Sequence, residues 1–504
     1  MSAKAKPVNV PHSSLRLTLV AAAFGGLAGA LGHAPFGLWP VAVPGFATLI
    51  WAVVRGPRPA LTAWIAGTAY FGVTLHWIVE PFLVDAARHG WMAPFALILL
   101  AGGLALFWGL AGWLSARMWG PRALTFAVAL AGAEVLRGHI FTGFPWVLPA
   151  YIWADTPLRL SVALIGSYGL TLLTLVAAAL PFVARQKVGL RSSILGLGLL
   201  GLAAIPGLGP TYPEDENDHL GTVRIIQPNI DQAEKWDPDL APGHFQDMLE
   251  LTRAPGGPLN DPDLVVWPEV AVVSPLDLAA PALEAIGAAA GVPVITGINR
   301  REDGRWYNSL VVAAPSGQVT ETYDKVHLVP FGEYIPFGIP LLRQMAGTSS
   351  NGFAAGEAVR LIDTPLGRAL PLICYEGIFP GHAFKAGERA DYILILTNDA
   401  WFGTFAGPQQ HLDIARFRAA EHRLAVVRVA NKGVSSVIDP YGNLEMTLLA
   451  DAPEATNAIV HSDSGVTFYA RTGDTPLKVL LFLAIVSAVV AHLRKRIAHP
   501  PGLG

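Results

Sequence analysis

Long apolar runs dominate the first 208 residues of the chain. A helix needs about 20 residues to cross the hydrocarbon core of a bilayer, and each run has about that length. The pattern predicts seven membrane-spanning helices, at residues 15–32, 38–54, 60–79, 91–115, 122–138, 158–184 and 192–208. A further run at residues 476–492 predicts an eighth.

The pattern changes after the Pro- and Gly-rich segment Pro206-Gly-Leu-Gly-Pro210. Strand-like runs (222–227, 263–267, 292–298, 391–397, 425–430) then alternate with helical stretches (240–253, 280–290, 409–424). Such alternation predicts an α/β domain with a layered sheet core. We therefore divide the chain into a membrane domain (1–208), a linker (209–219), an α/β domain (220–470) and a C-terminal span with its tail (471–504).

Charge follows the same division. The net charge is +9 over residues 1–208, −16 over 209–477 and +4 over 478–504. A sparsely charged apolar part followed by an acidic part of ordinary composition indicates a membrane domain followed by a domain in aqueous solution. The chain has one cysteine, so it cannot form an intrachain disulfide.

Basic residues fall in alternate loops between the predicted spans. The positive-inside rule places short loops rich in Lys and Arg on the cytoplasmic side. Seven spans from a cytoplasmic N-terminus would deliver the α/β domain to the outer face, and the eighth would return the C-terminus to the cytoplasm. The basic residues that set this topology are Lys4, Lys6, Arg16, Arg55, Arg58, Arg117, Arg122, Arg185, Lys187 and Arg191.

Four polar residues lie near predicted span ends: His76, Glu80, Glu134 and His139. Ionisable residues inside a membrane are costly and are often functional, whereas those at the interface are ordinary. The sequence leaves both an interfacial position and a role in substrate handling open.

Three residues that could carry chemistry follow strand-like runs. A strand end lies at the rim of the sheet, where open α/β sheets build their sites. A thiol nucleophile needs a proton acceptor and a cation that favours the thiolate, so a Cys, a Glu and a Lys at such positions point to nucleophilic catalysis. The alternatives are an inert buried thiol and two solvated charges. The residues are Glu269 after 264–267, Lys325 after 308–312 and Cys374 after 371–373.

The order of these residues resembles a known family. The stretches Trp267-Pro-Glu269, Tyr323-Asp-Lys325 and Cys374-Tyr-Glu376 are similar to those around the Glu-Lys-Cys triad of the nitrilase, or carbon-nitrogen hydrolase, superfamily. With the membrane spans, residues 15–495 resemble the apolipoprotein N-acyltransferase family, membrane enzymes that add the third acyl chain to bacterial lipoproteins. Further matching stretches are Gln227-Pro-Asn229 with Trp236, Leu328–Pro336 and Asn398–Gly403. The resemblance implies a nitrilase-like α-β-β-α sandwich outside the cytoplasm.

The resemblance also implies a reaction in two steps. Cys374 would attack a phospholipid ester and form a thioester, which the α-amino group of a diacylglyceryl-modified N-terminal cysteine would then open. Glu269 would act as acid and base, while Lys325 and the backbone N–H of Tyr375 would stabilise the oxyanion. Glu333 and Glu376 are the implied supporting carboxylates. Trp236, Tyr375 and Trp401 are expected to line the lipid-facing pocket.

The segment from Phe331 to Phe353 is apolar but is interrupted by Pro336, Gly338 and Pro340. We expect it to form a mobile arm at the membrane surface that admits lipid chains, with Phe337 and Leu342 as lipid contacts. The alternative is a loop packed permanently onto the sheet as additional core.

The expected partners are a phospholipid donor, a diacylated apolipoprotein acceptor and the bilayer, with no nucleic acid, cofactor or metal. We expect a monomer in the bacterial inner (cytoplasmic) membrane, with its catalytic domain in the periplasm. Two other functions fit parts of the sequence: a membrane-tethered amidase or nitrilase that uses water, and a membrane scaffold or transporter with an inert nitrilase-like domain. An inert domain should have lost a triad residue, and all three are present.

Overall fold

A computed structural model describes residues 13–183, 189–205, 219–255, 259, 261–336, 352–449, 452–463 and 465–498. Several predicted features lie outside these ranges. They are Phe337 and Leu342, most of the linker and most of the apolar arm.

The described residues contain eleven helices longer than ten residues. They are α1 (Leu15–Ala30), α2 (Trp39–Arg55), α3 (Pro59–Thr74), α4 (Ala93–Ser115), α5 (Arg122–Arg137), α6 (Val162–Ala179), α7 (Gly189–Ala204), α8 (Ala241–Arg253), α9 (Ala280–Ala290), α10 (Gly407–His422) and α11 (Thr475–Ala498).

Helices α1 to α7 and α11 cover the eight segments predicted to span a membrane. The third is shorter than predicted, because α3 ends at Thr74 and is followed by a 3-10 turn, His76–Val79, and two short helices, Glu80–Leu83 and Ala86–His89. By length and composition, two described stretches could each cross a membrane, Ala86–Ser115 and Pro157–Phe182.

The helices of the N-terminal part pack closely where glycine replaces a side chain. Helix α1 contacts α2 and α3. A Cβ atom on Gly26 would lie 2.1 Å from the carbonyl oxygen of Ala66 in α3, so only glycine permits this approach. Small residues at helix contacts are typical of membrane bundles.

Two six-stranded sheets form the centre of the α/β domain. The first has the order β12-β1-β2-β3-β4-β5 and the second the order β11-β10-β9-β8-β7-β6. In both sheets parallel pairs lie in the middle, with β1, β2 and β3 in the first and β7, β8 and β9 in the second. The strands are β1 (His219–Gln227), β2 (Leu264–Val266), β3 (Val294–Glu302), β4 (Arg305–Ala313), β5 (Val319–Asp324), β6 (Ile362–Thr364), β7 (Gly367–Ile373), β8 (Tyr392–Thr397), β9 (Ala425–Ala430), β10 (Ser435–Ile438), β11 (Leu444–Leu448) and β12 (Glu454–His461).

The two sheets face each other across one apolar layer and carry helices on their outer faces. Residues such as Val223, Leu264 and Leu394 form the layer between the sheets. Helices α8 and α9 pack on the outer face of the first sheet, and α10 packs on the second. The predicted α-β-β-α sandwich is confirmed.

Helix α10 also joins the sandwich to the N-terminal helices. Leu412, Ala415 and Ala419 pack on the second sheet, whereas Ile414 and Phe417 lie in the core of the N-terminal bundle. Fourteen residues of this helix are buried. The helix is therefore shared by both parts of the chain.

Gln410 makes four hydrogen bonds across this junction. Its Oε1 accepts from the indole N–H groups of Trp77 and Trp146, at 3.1 and 2.8 Å. Its Nε2 donates to the carbonyl oxygens of Ala34 and Thr74, each at 3.1 Å. All donor and acceptor positions of one buried amide are thus satisfied by the N-terminal helices and their loops.

Candidate active site

The three residues predicted to carry the chemistry come from both sheets. Glu269 follows β2 and Lys325 follows β5, both in the first sheet, while Cys374 follows β7 in the second. All three are buried, with exposed fractions of 8%, 1% and 6%. The site therefore forms where the ends of the two sheets meet.

Lys325 lies between two carboxylates. Its Nζ is 2.9 Å from Oε1 of Glu333 and 3.8 Å from Oε1 of Glu269. The side-chain amide of Asn308 donates to both carboxylates, at 2.8 Å to Glu269 and 3.0 Å to Glu333. The backbone N–H of Val329 fixes the other oxygen of Glu333 at 2.7 Å. One ammonium and one amide thus hold the two acids side by side.

The charges of this cluster are set by burial and by its neighbours. Burial acts to lower the pKa of Lys325, but the carboxylates of Glu333 and Glu269 outweigh it and raise that pKa, so the ammonium is retained. Burial raises the pKa of Glu269 above its usual range, against the opposing effect of Lys325. A carboxyl group with a raised pKa is suited to act as acid and base near neutral pH.

Cys374 stands in a strained turn directly after β7. Its φ is +49°, in the left-handed region that residues other than glycine seldom adopt. The 3-10 turn Cys374–Ile378 follows at once. Strain of this kind is found at functional sites, where it aims a side chain away from the regular strand.

Burial controls the acidity of the Cys374 thiol. Burial and the charge of Glu269 raise the pKa of Cys374 to about 12, although Lys325 acts in the opposite direction. Lys325 thus favours the thiolate, as expected of a cation beside a reactive cysteine, but burial disfavours the anion more strongly. The proton must leave with the help of a base.

Glu376 supports the backbone rather than Lys325 itself. Its carboxylate accepts from the N–H groups of Ile373, Val326 and His327, at 2.8, 2.8 and 3.0 Å. It also accepts from the hydroxyl group of Tyr323 at 3.0 Å. One buried side chain thereby fixes the residue before Cys374 and the two residues after Lys325.

Tyr375 points toward the N-terminal helices. Its hydroxyl group donates to the carbonyl oxygen of Gly143 at 2.8 Å, and its ring stacks on Phe144 with centroids 6.5 Å apart. Gly143 and Phe144 belong to the loop after α5. The residue next to the candidate nucleophile thus contacts the loop between the fifth and sixth predicted spans.

The structure describes two of the other four predicted lipid contacts, Trp236 and Trp401. Trp236 is 47% exposed and Trp401 is 39% exposed, so both present aromatic surface outside the core. Of the apolar arm, Phe331 is described and is 62% exposed. Phe337 and Leu342 lie outside the described residues.

Sequence reasoning missed a polar network behind the cysteine. The hydroxyl group of Thr397 donates to Asp399 at 2.9 Å, and Thr397 acts to lower the pKa of the Cys374 thiol. Asp399 also pairs with Arg428 at 2.5 Å and with His411 at 3.0 Å. Burial acts to raise the pKa of Asp399, but Arg428 and His411 hold it at about 2. The only sequence signal was the stretch Asn398–Gly403, which the family resemblance singled out.

The sequence analysis also missed the role of Asn308, although this residue begins the strand-like run 308–312. An amide in a strand gives no sign of the carboxylates it meets on other elements. Among the described residues, no group of three or more His, Cys, Asp or Glu side chains is arranged to hold a metal ion. A reaction without metal stays a prediction.

The sandwich and the Glu-Lys-Cys cluster define the class of the C-terminal part, which has the carbon-nitrogen hydrolase fold. The family model described as "Carbon-nitrogen hydrolase" matches residues 222–463. The model described as "Apolipoprotein N-acyltransferase N-terminal domain" matches residues 25–180.

Full-length relatives identify the family. A protein from Caulobacter vibrioides named apolipoprotein N-acyltransferase is 38% identical, with 95% of each chain covered. One of the same name from Brucella melitensis is 36% identical, with 94% of each covered. The chain belongs to the apolipoprotein N-acyltransferase family. Among solved structures, an amidase from Nesterenkonia sp. matches with 16% identity and a TM-score of 0.36, covering 52% of this chain and 96% of that one.

Proposed function

We propose that this protein moves a fatty acyl chain from a membrane phospholipid, through a thioester on Cys374, to the α-amino group of the diacylglyceryl-cysteine of bacterial apolipoproteins. Membership of the family supports this reaction. The observation that carries it is the contact of Tyr375 with Gly143, which places the candidate nucleophile beside the N-terminal helices. A position beside the proposed membrane helices supports a substrate that is itself a membrane lipid.

In the first step, Glu269 takes the thiol proton as the sulfur of Cys374 attacks the ester carbonyl carbon. The Lys325 ammonium stabilises the oxyanion, with the backbone N–H of Tyr375 as a second donor. The carbon–oxygen bond to the glycerol then breaks, and Glu269 returns the proton to the leaving alkoxide. The products are a lysophospholipid and the acyl thioester.

In the second step, the amine of the acceptor attacks the thioester carbonyl carbon. Glu269 removes one proton from the nitrogen and delivers it to the departing sulfur, so that an amide and the free thiol are formed. Glu269 is again ionised at the end of this step, and no external acid is required. The second half-reaction therefore uses the same groups in the same roles.

We assign supporting roles to Glu333, which holds the Lys325 ammonium, and to Glu376, which holds the backbone around Cys374 and Lys325. The exposed rings of Trp236 and Trp401, with Tyr375, are assigned to the lipid substrates. Phe337 and Leu342 are assigned the same role on the composition of the arm alone.

We further propose that all eight helices, α1 to α7 and α11, cross the bacterial inner membrane. The alternation of basic loops then places residues 220–470 on the periplasmic side and both termini in the cytoplasm. In this arrangement residues 1–208 form the membrane domain, 209–219 the linker and 471–504 the last span with its tail.

The test uses the purified full-length protein in detergent or nanodiscs, with a phospholipid and a diacylated lipopeptide. Mass spectrometry should detect acylated Cys374 first and N-acylated lipopeptide after the acceptor is added. Release of free fatty acid without N-acylation would instead indicate the hydrolase. Absence of any acyl-enzyme would indicate an inert domain.

A further inference from the structure

A buried lysine lies against the main chain of the catalytic glutamate. Lys235 is 5% exposed, although its neighbours Glu234 and Trp236 are both exposed. Lysine is seldom buried unless a partner satisfies its ammonium. This side chain therefore turns inward from a loop whose other residues face outward.

The partner of this ammonium is the backbone of Glu269. The Nζ atom of Lys235 donates to the carbonyl oxygen of Glu269 at 3.0 Å, its one hydrogen bond in the part of the chain that the structure describes. A Cβ atom on Gly297 would lie 2.7 Å from the Cα of Glu269 and 2.3 Å from the nitrogen of Val270. The main chain of the acid thus contacts both an ammonium and the backbone of a glycine in β3.

The turn after the acid needs such support. Val270 has a φ of +46°, a conformation that is strained for a β-branched residue. Strained turns persist only where the surroundings hold them. The bond from Lys235 falls on the carbonyl group that immediately precedes this turn.

We propose that Lys235 is a positioning residue, which fixes the backbone of Glu269 and, through its charge, favours the ionised carboxylate of that residue. It also ties the loop that carries Trp236 to the catalytic base. The other groups that bear on this carboxylate are Lys325, Glu333, Asn308 and Cys374.

The charge state of Lys235 fits this role. Burial lowers its pKa to about 8, while Glu269 acts to raise it. The side chain is therefore cationic at neutral pH. A cation favours the ionised form of a neighbouring carboxyl group, so loss of the ammonium should raise the pKa of Glu269 and weaken the base in mildly acidic solution.

The test compares Lys235→Met, Lys235→Gln and Lys235→Arg in the full-length protein. Alkylation by iodoacetamide reports only on Cys374, since the chain has no other cysteine. The inference rests on the proposed role of Glu269 as the base for the thiol. Alkylation needs no lipid, so it tests the inference even if the proposed acyl transfer fails. Acyl-enzyme formation from phospholipid, followed in parallel, tests that function separately.

We expect Lys235→Met to move the acid limb of the alkylation rate, the range in which the rate falls as the pH falls, upward by roughly half a pH unit or more, so that the rate on this limb drops about threefold or more. Lys235→Arg should keep the wild-type limb, because it keeps the charge. If Lys235→Met does not fold, Lys235→Gln carries the test, since it keeps a donor without the charge and should show the same upward shift.

Lys432→Met is the matched control. Asp231 lies in the same loop as Lys235, and its carbonyl oxygen accepts from the backbone N–H of Lys235. The side chain of Asp231 pairs with Lys432, which follows β9. This variant loosens the loop without touching Glu269, so its acid limb should match the wild type. The proposal is overturned if the two uncharged variants keep the wild-type limb, or if Lys432→Met shifts it equally.

Discussion

The Lys325 ammonium lies closer to Glu333 than to Glu269, with distances of 2.9 and 3.8 Å. The carboxylate nearest the cation is thus distinct from the one that we propose moves the proton. This division leaves Glu269 free to change its protonation state while Lys325 stays in place.

Glu333→Gln tests that division. The change removes a charge-assisted hydrogen bond, which is worth about 1.5 to 3 kcal/mol, so acyl-enzyme formation should fall roughly 10- to 100-fold. The control is Glu302→Gln, which removes an exposed carboxylate that pairs with Arg300. Equal rates in the two variants would show that Glu333 does not hold the catalytic lysine.

Cys374→Ala and Cys374→Ser should abolish acyl-enzyme formation without unfolding the protein. The thioester can form at no other residue, because the chain has one thiol. Mass spectrometry after incubation with phospholipid measures the acylated protein, and thermal unfolding checks its integrity. Thiol-directed labelling that persists in Cys374→Ala would contradict the assignment.

Lys325→Arg should lower activity by roughly two orders of magnitude or more, although it keeps the charge. The site encloses a compact ammonium with an exposed fraction of 1%, and a planar guanidinium cannot occupy the same position. Single-turnover acylation gives the relevant rate. Turnover near that of the wild type would remove the oxyanion role from Lys325.

Acylation should also depend on pH through Glu269. Burial raises the pKa of this residue, and the base must be ionised to accept the thiol proton. The rate should therefore be lost as the pH falls through that raised pKa, at a pH above the usual value of about 4.3. A rate of acyl-enzyme formation that stays constant down to about pH 4 would exclude Glu269 as the base.

Gln410→Leu tests the junction. The substitution leaves the indole N–H groups of Trp77 and Trp146 buried without their acceptor, so the free energy of unfolding should fall by about 2 to 4 kcal/mol. Gln409→Leu is the neighbouring control, because in the described part of the chain the Gln409 side chain makes one hydrogen bond, to the carbonyl oxygen of Thr404, at a more exposed position. Equal stability of the two variants would argue against a role for Gln410 at the junction.

The sequence predicted the α/β sandwich and singled out the three candidate catalytic residues because both leave local signals. Glu269, Lys325 and Cys374 each follow a strand-like run, and their order matches a family pattern. The helices at the eight apolar segments were equally visible, since length and hydropathy are properties of single segments.

Residues that act across long separations could not be found in this way. The bonds of Gln410 join it to Trp146 and Trp77, which are 264 and 333 positions away. The raised pKa of Cys374 depends on how deeply the folded chain buries the thiol, a quantity that no sequence pattern reports. Lys235 precedes Trp236 in the sequence, and no local pattern indicates that its side chain turns inward.

The two-sided packing of α10 bears on how members of this family can be recombined. Ile414 and Phe417 belong to the bundle core, whereas Leu412 and Ala415 belong to the sandwich. A chimera that exchanged the N-terminal helices between relatives and kept the original α10 would bring together surfaces that did not evolve as a pair. The exchangeable unit is therefore the bundle together with the bundle-facing residues of this one helix, and domain boundaries drawn along the chain would cut through it.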